Sequence, residues 1–136
     1  MRDIKFRVWD KETKHMHICG EDVHDTITFE DETNKAYYYN LQNGCGSLRE
    51  DSDYILMQYT GLKDKNGKEI YEEDIIKIKH IGKAVVAWVA YDDEDAGFVT
   101  KCKNIILHNE PLSDIDMRDR EVIGNIYDNA ELLKNT

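Results

Sequence analysis

The chain is a series of short apolar runs separated by turn-forming residues. Ile4, Phe6 and Val8 alternate with Lys5, Arg7 and Trp9, the period-two pattern of a half-buried strand. Residues 11–14 read as a turn and residues 15–19 (HMHIC) as the returning strand. Thr26 to Phe29 form a further short strand candidate, and the tyrosines of residues 35–41 (KAYYYNL) favour another. Residues 43–47 (NGCGS) read as a glycine-rich loop. Tyr54 to Thr60 is the next strand, and Asn66-Gly67 supplies the positive φ angles of a tight hairpin turn. Pairing resumes at Ile70-Tyr71, Glu72 to Asp74 turns the chain, and Ile75 to Lys79 runs out as a strand. Gly82 separates this strand from residues 83–91 (KAVVAWVAY), in which Trp88 is expected to be core. Residues 92–97 form a loop, GFVTK returns, and residues 105–108 are a short strand or a helical turn. Residues 121–127 are the last strand, and Asn129 stands where it would cap a short helix over 130–135. Turn signals at such close intervals predict a mainly β fold, a small barrel or sandwich. The alternative is α+β, with a helix within 20–53 or 105–120.

Four segments fall in an order that carries a family resemblance. They are IKFRVWD (4–10), LMQYTGLKDKNGKEIYEEDIIK (56–77), AVVAW followed by GF (84–98), and EVIGNIYDNAELL (121–133). Together they resemble the YopX family, proteins encoded by bacterial phages and prophages. The resemblance implies a β-rich fold with an SH3-like barrel, a phage context and an uncharacterised biochemical role, and it brings no catalytic residues. It implies one domain over 1–136, with 1–53 as an N-terminal β extension and 54–136 forming the barrel. One position departs from the pattern: where the family reads Tyr-Glu-Gly-Asp, this chain has Tyr71-Glu72-Glu73-Asp74. Either the turn is right-handed here, or Glu73 is strained by about 1 kcal/mol.

Composition narrows the classes. The chain has 136 residues, 40% of them hydrophobic, which suffices for a packed core. No apolar run approaches the roughly 20 residues that span a bilayer. The charged N-terminus lacks the apolar centre of a signal peptide, so a cytoplasmic protein is expected. Cys19, Cys45 and Cys102 are odd in number and far apart, which suits reduced thiols used as small apolar fillers. Net charge is −10, with nine acidic against two basic residues in 21–53 and eleven against five in 92–136. Such a balance disfavours the phosphate backbone of nucleic acids and anionic membranes. It leaves open an acidic mimic of nucleic acid that inhibits a host enzyme.

Candidate chemistry is sparse. His15, His17 and Cys19 sit at i, i+2 and i+4, and on a strand would share one face, with His24 or Cys45 as a fourth zinc ligand. A solvated strand face, with Met16 and Ile18 turned to the core, accounts for the same spacing. Residues 92–97 (DDEDAG) have the acidity of a calcium loop without its ligand alternation, and read as a solvated hairpin tip. Trp9, Trp88 and the scattered tyrosines would form a base-stacking platform only beside a basic groove, so core packing is favoured. Ser47, Ser52 and Ser113 lie in no nucleophile pattern. Turn chemistry explains most of the 54–79 segment; as a binding surface its members would be Gln58, Tyr59, Thr60, Lys68 and Tyr71. The expectation is a non-enzymatic module without a cofactor, acting on a protein partner or on a second copy of itself.

Overall fold

The structure, a computed structural model, describes residues 3–19, 25–29, 36–40, 44–47, 54–103 and 107–134. The fold is mainly β, in antiparallel sheets of which one curls into a half-barrel. The chain divides into two compact units, Asp3–Gln58 and Tyr59–Thr136.

In the first unit, strand β1 (Phe6–Asp10) lies between β2 (His15–Ile18) and the opening half of a long strand, β6 (Tyr54–Lys63). Trp9 stands opposite Met16 on one side and Ile55 on the other. The expected alternation of buried and exposed positions fails here: Arg7, Val8, Trp9 and Asp10 are all buried. A strand with a partner on each edge and both faces covered leaves even its polar members inside, where they need bonds. Asp10 has them, since its Oδ1 accepts from the amides of Glu12 and Thr13 and so closes the β1–β2 turn. A separate sheet joins β3 (Asp25–Phe29), β4 (Ala36–Asn40) and β5 (Gly44–Ser47). Residues 44–47 are therefore a strand and not the expected loop. Tyr37 to Asn40 pair with Ser47 back to Gly44, and backbone pairing makes no demand on side-chain propensity.

The second unit begins with the rest of β6, which pairs with β7 (Glu69–Tyr71). The four-stranded sheet that follows has the order β10 (Gly97–Lys101), β9 (Lys83–Asp92), β8 (Asp74–His80), β11 (Arg120–Asn125). Its core face carries Ile76 and Ile78 from β8 and Ala87 and Val89 from β9. Ile70, Cys102, Leu107, Leu112 and Ile115 pack against them. Cys102 is the apolar filler expected of it. Trp88 is not in this core. The pleat turns it to the opposite face from Ala87 and Val89, where it stands opposite Ile75 and is half-buried. Ile75 on that second face is fully buried.

Among the described residues, helical structure is limited to 3₁₀ turns at Leu112–Asp114, Met117–Asp119 and Ala130–Leu133. The α+β alternative is thereby corrected for 107–120, and the C-terminal helix reduces to one such turn. Asn129 does not cap it through its side chain. Its Oδ1 instead accepts from the Asn125 amide, while Asn125 Oδ1 accepts from the amides of Tyr127 and Asp128. This fold-back brings the Asn129 side chain within 2.5 Å of where a Cβ on Gly124 would lie, so only glycine fits there.

Candidate functional site

In the segment with the strongest sequence signature, Thr60, Asp64 and Asp74 commit their side-chain oxygens to structural bonds. Asp64 is buried, with Oδ1 accepting from the amides of Asn66 and Lys68 and Oδ2 from the amide of Val122 on β11. Burial pushes its carboxyl up, but the three amide donors and the nearby Lys68 charge outweigh burial and hold it below the ordinary 3.8. The hairpin it organises is a three-residue loop, in which the Gly67 amide donates to the Asp64 carbonyl at 3.0 Å and only Gly67 is at positive φ. This corrects the expectation of a two-residue Asn-Gly turn, and the reason is that the Asp64 side chain already gathers the loop amides. Thr60 Oγ1 donates to the Ile70 carbonyl, and Asp74 Oδ2 accepts from the Tyr71 amide.

Glu73 adopts φ 68°, so the strained alternative is the one realised. Its amide donates to the Val89 carbonyl at 2.8 Å and its carbonyl accepts from the Ile126 amide at 3.0 Å. One bond to β9 and one to the turn that follows β11 fix a conformation that glutamate alone would avoid. Arg120, also buried, donates from Nε to the Lys63 carbonyl and from Nη1 to the carbonyls of Ile115 and Leu112. Burial lowers its guanidinium, with the charges of Asp116 and Asp64 opposing.

Of the five residues named as a binding surface, Tyr59 and Tyr71 are buried and pack ring on ring at 5.6 Å. Thr60 and Gln58 are half-buried, and Lys68 is exposed on the hairpin loop. His15 and His17 meet edge to face at 4.5 Å, with His15 exposed and Cys19 half-buried. No group of three metal-ligating side chains occurs among the described residues. His24 and the Cys45 side chain lie outside them. Residues 92–97 form the β9–β10 hairpin tip, and Asp92 Oδ1 accepts the Glu94 amide there.

The surface that sequence reasoning missed is at the other end of β9. The β8–β9 hairpin closes through Ile81-Gly82, both at positive φ (50° and 75°), between the paired residues His80 and Lys83. Isoleucine is β-branched and ill-suited to that region, which belongs to Asn, Asp or Gly in such turns. Its side chain is also 83% exposed. Beside this tip lies a cleft of about 260 Å³, whose lining includes Gly82, Ala84 and Arg120. Lys65, Lys77, Lys79, Lys83 and Arg118 line it, together with Asp119 and Glu121. Glu121 is shared by Lys65 at 3.3 Å and Lys77 at 3.9 Å. Arg118 holds Asp116 through two bonds, which lower that exposed carboxyl to about 2. Among the described residues, Lys79 and Lys83 meet no carboxylate. In a chain of charge −10, this is a concentrated patch of positive charge.

Strand order, hairpin register and the bonded motif define a mainly β protein of antiparallel sheets, one of them curled into a half-barrel. The YopX protein family model matches residues 5–134, and the chain belongs to the YopX family. It is similar to the crystal structure of protein EF1440 from Enterococcus faecalis, with 27% identity and a TM-score of 0.66 over 98% of this chain and 100% of that one. It is also similar to the X-ray structure of the YopX protein from Bacillus subtilis, with a TM-score of 0.68 over 96% of this chain and 98% of that one. At 23% identity, that second likeness concerns the fold alone. No curated protein sequence matches the chain.

Proposed function

We propose that the protein is a non-enzymatic interaction module, of phage or prophage origin, that docks a protein partner through the tip of the β8–β9 hairpin. The observation that supports this reading is Ile81, a β-branched residue kept at φ 50° with its side chain 83% exposed. Neither the turn nor the core gains from isoleucine there, and strain of this kind persists where a contact uses it. The family motif supports the same reading from the other side. Asp64, Asp74, Thr60 and Arg120 each bond backbone groups, as parts of a scaffold would. The lysines on either side of the tip, Lys79 and Lys83, favour a partner whose apolar pocket has an acidic rim.

The Ile81→Asn variant separates folding from docking. Asparagine suits the left-handed turn, so the variant should be more stable by about 1 kcal/mol. Immobilised wild-type protein and the variant are exposed to nuclease-treated lysate of the bacterial host, and captured proteins are quantified by mass spectrometry. A partner whose yield falls at least tenfold with the variant is the expected result. Equal yields of every captured protein would overturn the reading.

A further inference from the structure

The geometry points to the basic cleft beside the hairpin tip as a binding site for a compact phosphate monoester, the terminal phosphate of a nucleotide or of a nucleic-acid 5′ end. The proposal shares Lys79 and Lys83 with the docking surface but does not depend on Ile81. Lys79 and Lys83 both line the cleft at the end of the β8–β9 hairpin, and among the described residues neither forms an ion pair with a carboxylate. Lys65 and Lys77 divide a single carboxylate, Glu121, between two ammonium groups. The local excess of positive charge therefore sits on flexible point-charge donors around a concave floor. That arrangement matches a tetrahedral dianion better than a planar monoanionic carboxylate, for which a free arginine fork is the better partner. The arginines here are engaged, Arg118 by Asp116 and Arg120 by backbone carbonyls.

Size and surroundings argue for a compact ligand. About 260 Å³ lies below the range of roughly 300–1,000 Å³ that larger ligands occupy. A second cleft shares Lys79 and Asp119 with the first and is lined by Glu110, Asp114 and Asp116. An extended polyanion crossing the basic cleft would run onto those carboxylates, whereas a single terminal phosphate would not. At physiological salt the screening length is about 8 Å, so the local lysines outweigh the acidity of the rest of the chain.

The test is a titration followed through the backbone amide resonances of Lys79, Lys83 and Ala84. The probes are adenosine 5′-monophosphate, adenosine, and a tetranucleotide with and without its 5′-phosphate. The monophosphate should shift these amides and adenosine should not. The double variant K79E/K83E, altered only at exposed positions, should bind at least tenfold more weakly with its melting temperature unchanged. Affinity should rise from pH 5 to pH 7 as the phosphate, with a second pKa of about 6, becomes a dianion while the lysines stay charged. Tighter binding of the 5′-phosphorylated tetranucleotide than of the monophosphate assigns the site to nucleic-acid ends, and the reverse order assigns it to free nucleotides. Binding of adenosine as tight as that of the monophosphate, equal binding of the two tetranucleotides at an affinity above that of the monophosphate, or undiminished binding by K79E/K83E, would overturn the proposal. None of these results touches docking through Ile81, which the Ile81→Asn capture decides separately.

Discussion

Asp64 shows how one side chain can organise a family signature. Its three amide contacts tie the 65–67 loop to β11, so Asp64→Ala leaves three partly buried donors without their acceptor and should destabilise the protein by about 2 kcal/mol. Urea unfolding at pH 7 measures this directly. The carboxyl lies below 3.8 in the folded protein, so its stabilisation is fully present above that value and disappears as pH falls through the lower, folded pKa. Asp64→Asn should accordingly lower stability at pH 7 and flatten the loss of stability below pH ~4. Glu73 gives the opposite sign. Its φ of 68° suits glycine, so Glu73→Gly should raise stability by about 0.5–1 kcal/mol, or about 2–4 °C in melting temperature. A lower melting temperature would show that the glutamate side chain holds more than the backbone strain it brings. The family pattern made this position legible in the sequence, but the choice between a right-handed turn and strain depended on the bonds to Val89 and Ile126, which are distant in the sequence.

At the level of elements, periodicity located most strands. β6, β7, β8, β9 and β10 fall where apolar runs and turn residues put them. What periodicity missed has a physical cause in each case. The alternation in β9 left two possible faces, and Trp88 as the largest side chain suggested the wrong one; Ala87 and Val89 face the main core instead. Ile76→Ala, at a fully buried position of that core, should therefore cost about 3 kcal/mol or more and exceed the loss from Trp88→Ala. Thermal unfolding of the two variants side by side decides the order. β5 went unread because its glycines pair through the backbone alone. The C-terminal fold-back went unread because Asn129 looks like a helix cap, while its side chain serves Asn125. Gly124→Ala should lose about 2 kcal/mol or more, since its Cβ would meet the Asn129 side chain. The Ile81-Gly82 turn escaped notice because isoleucine is absent from the usual vocabulary of such turns.

Across the molecule, composition concealed the site. A net charge of −10 argues against anion binding only if the charge is spread evenly, and it is not: Lys65, Lys77, Lys79 and Lys83 converge on one cleft of the second unit. Lys77, Lys79 and Lys83 lie close together in the sequence, but Lys65 of the 65–67 loop and Glu121 of β11 join them only in the folded chain. Lys65, Lys77 and Glu121 belong to the family signature, whereas Ile81 and Lys83, on which the proposed docking turns, lie outside its segments and at the edge of the hairpin. The most direct measurement of that division places a photo-crosslinking side chain at position 81, and at the exposed position 93 on the opposite hairpin as a control, in protein expressed in the bacterial host. The account predicts one dominant partner adduct from position 81 and none of it from position 93. Equal adduct yields at the two positions, or no adduct at position 81, would contradict it.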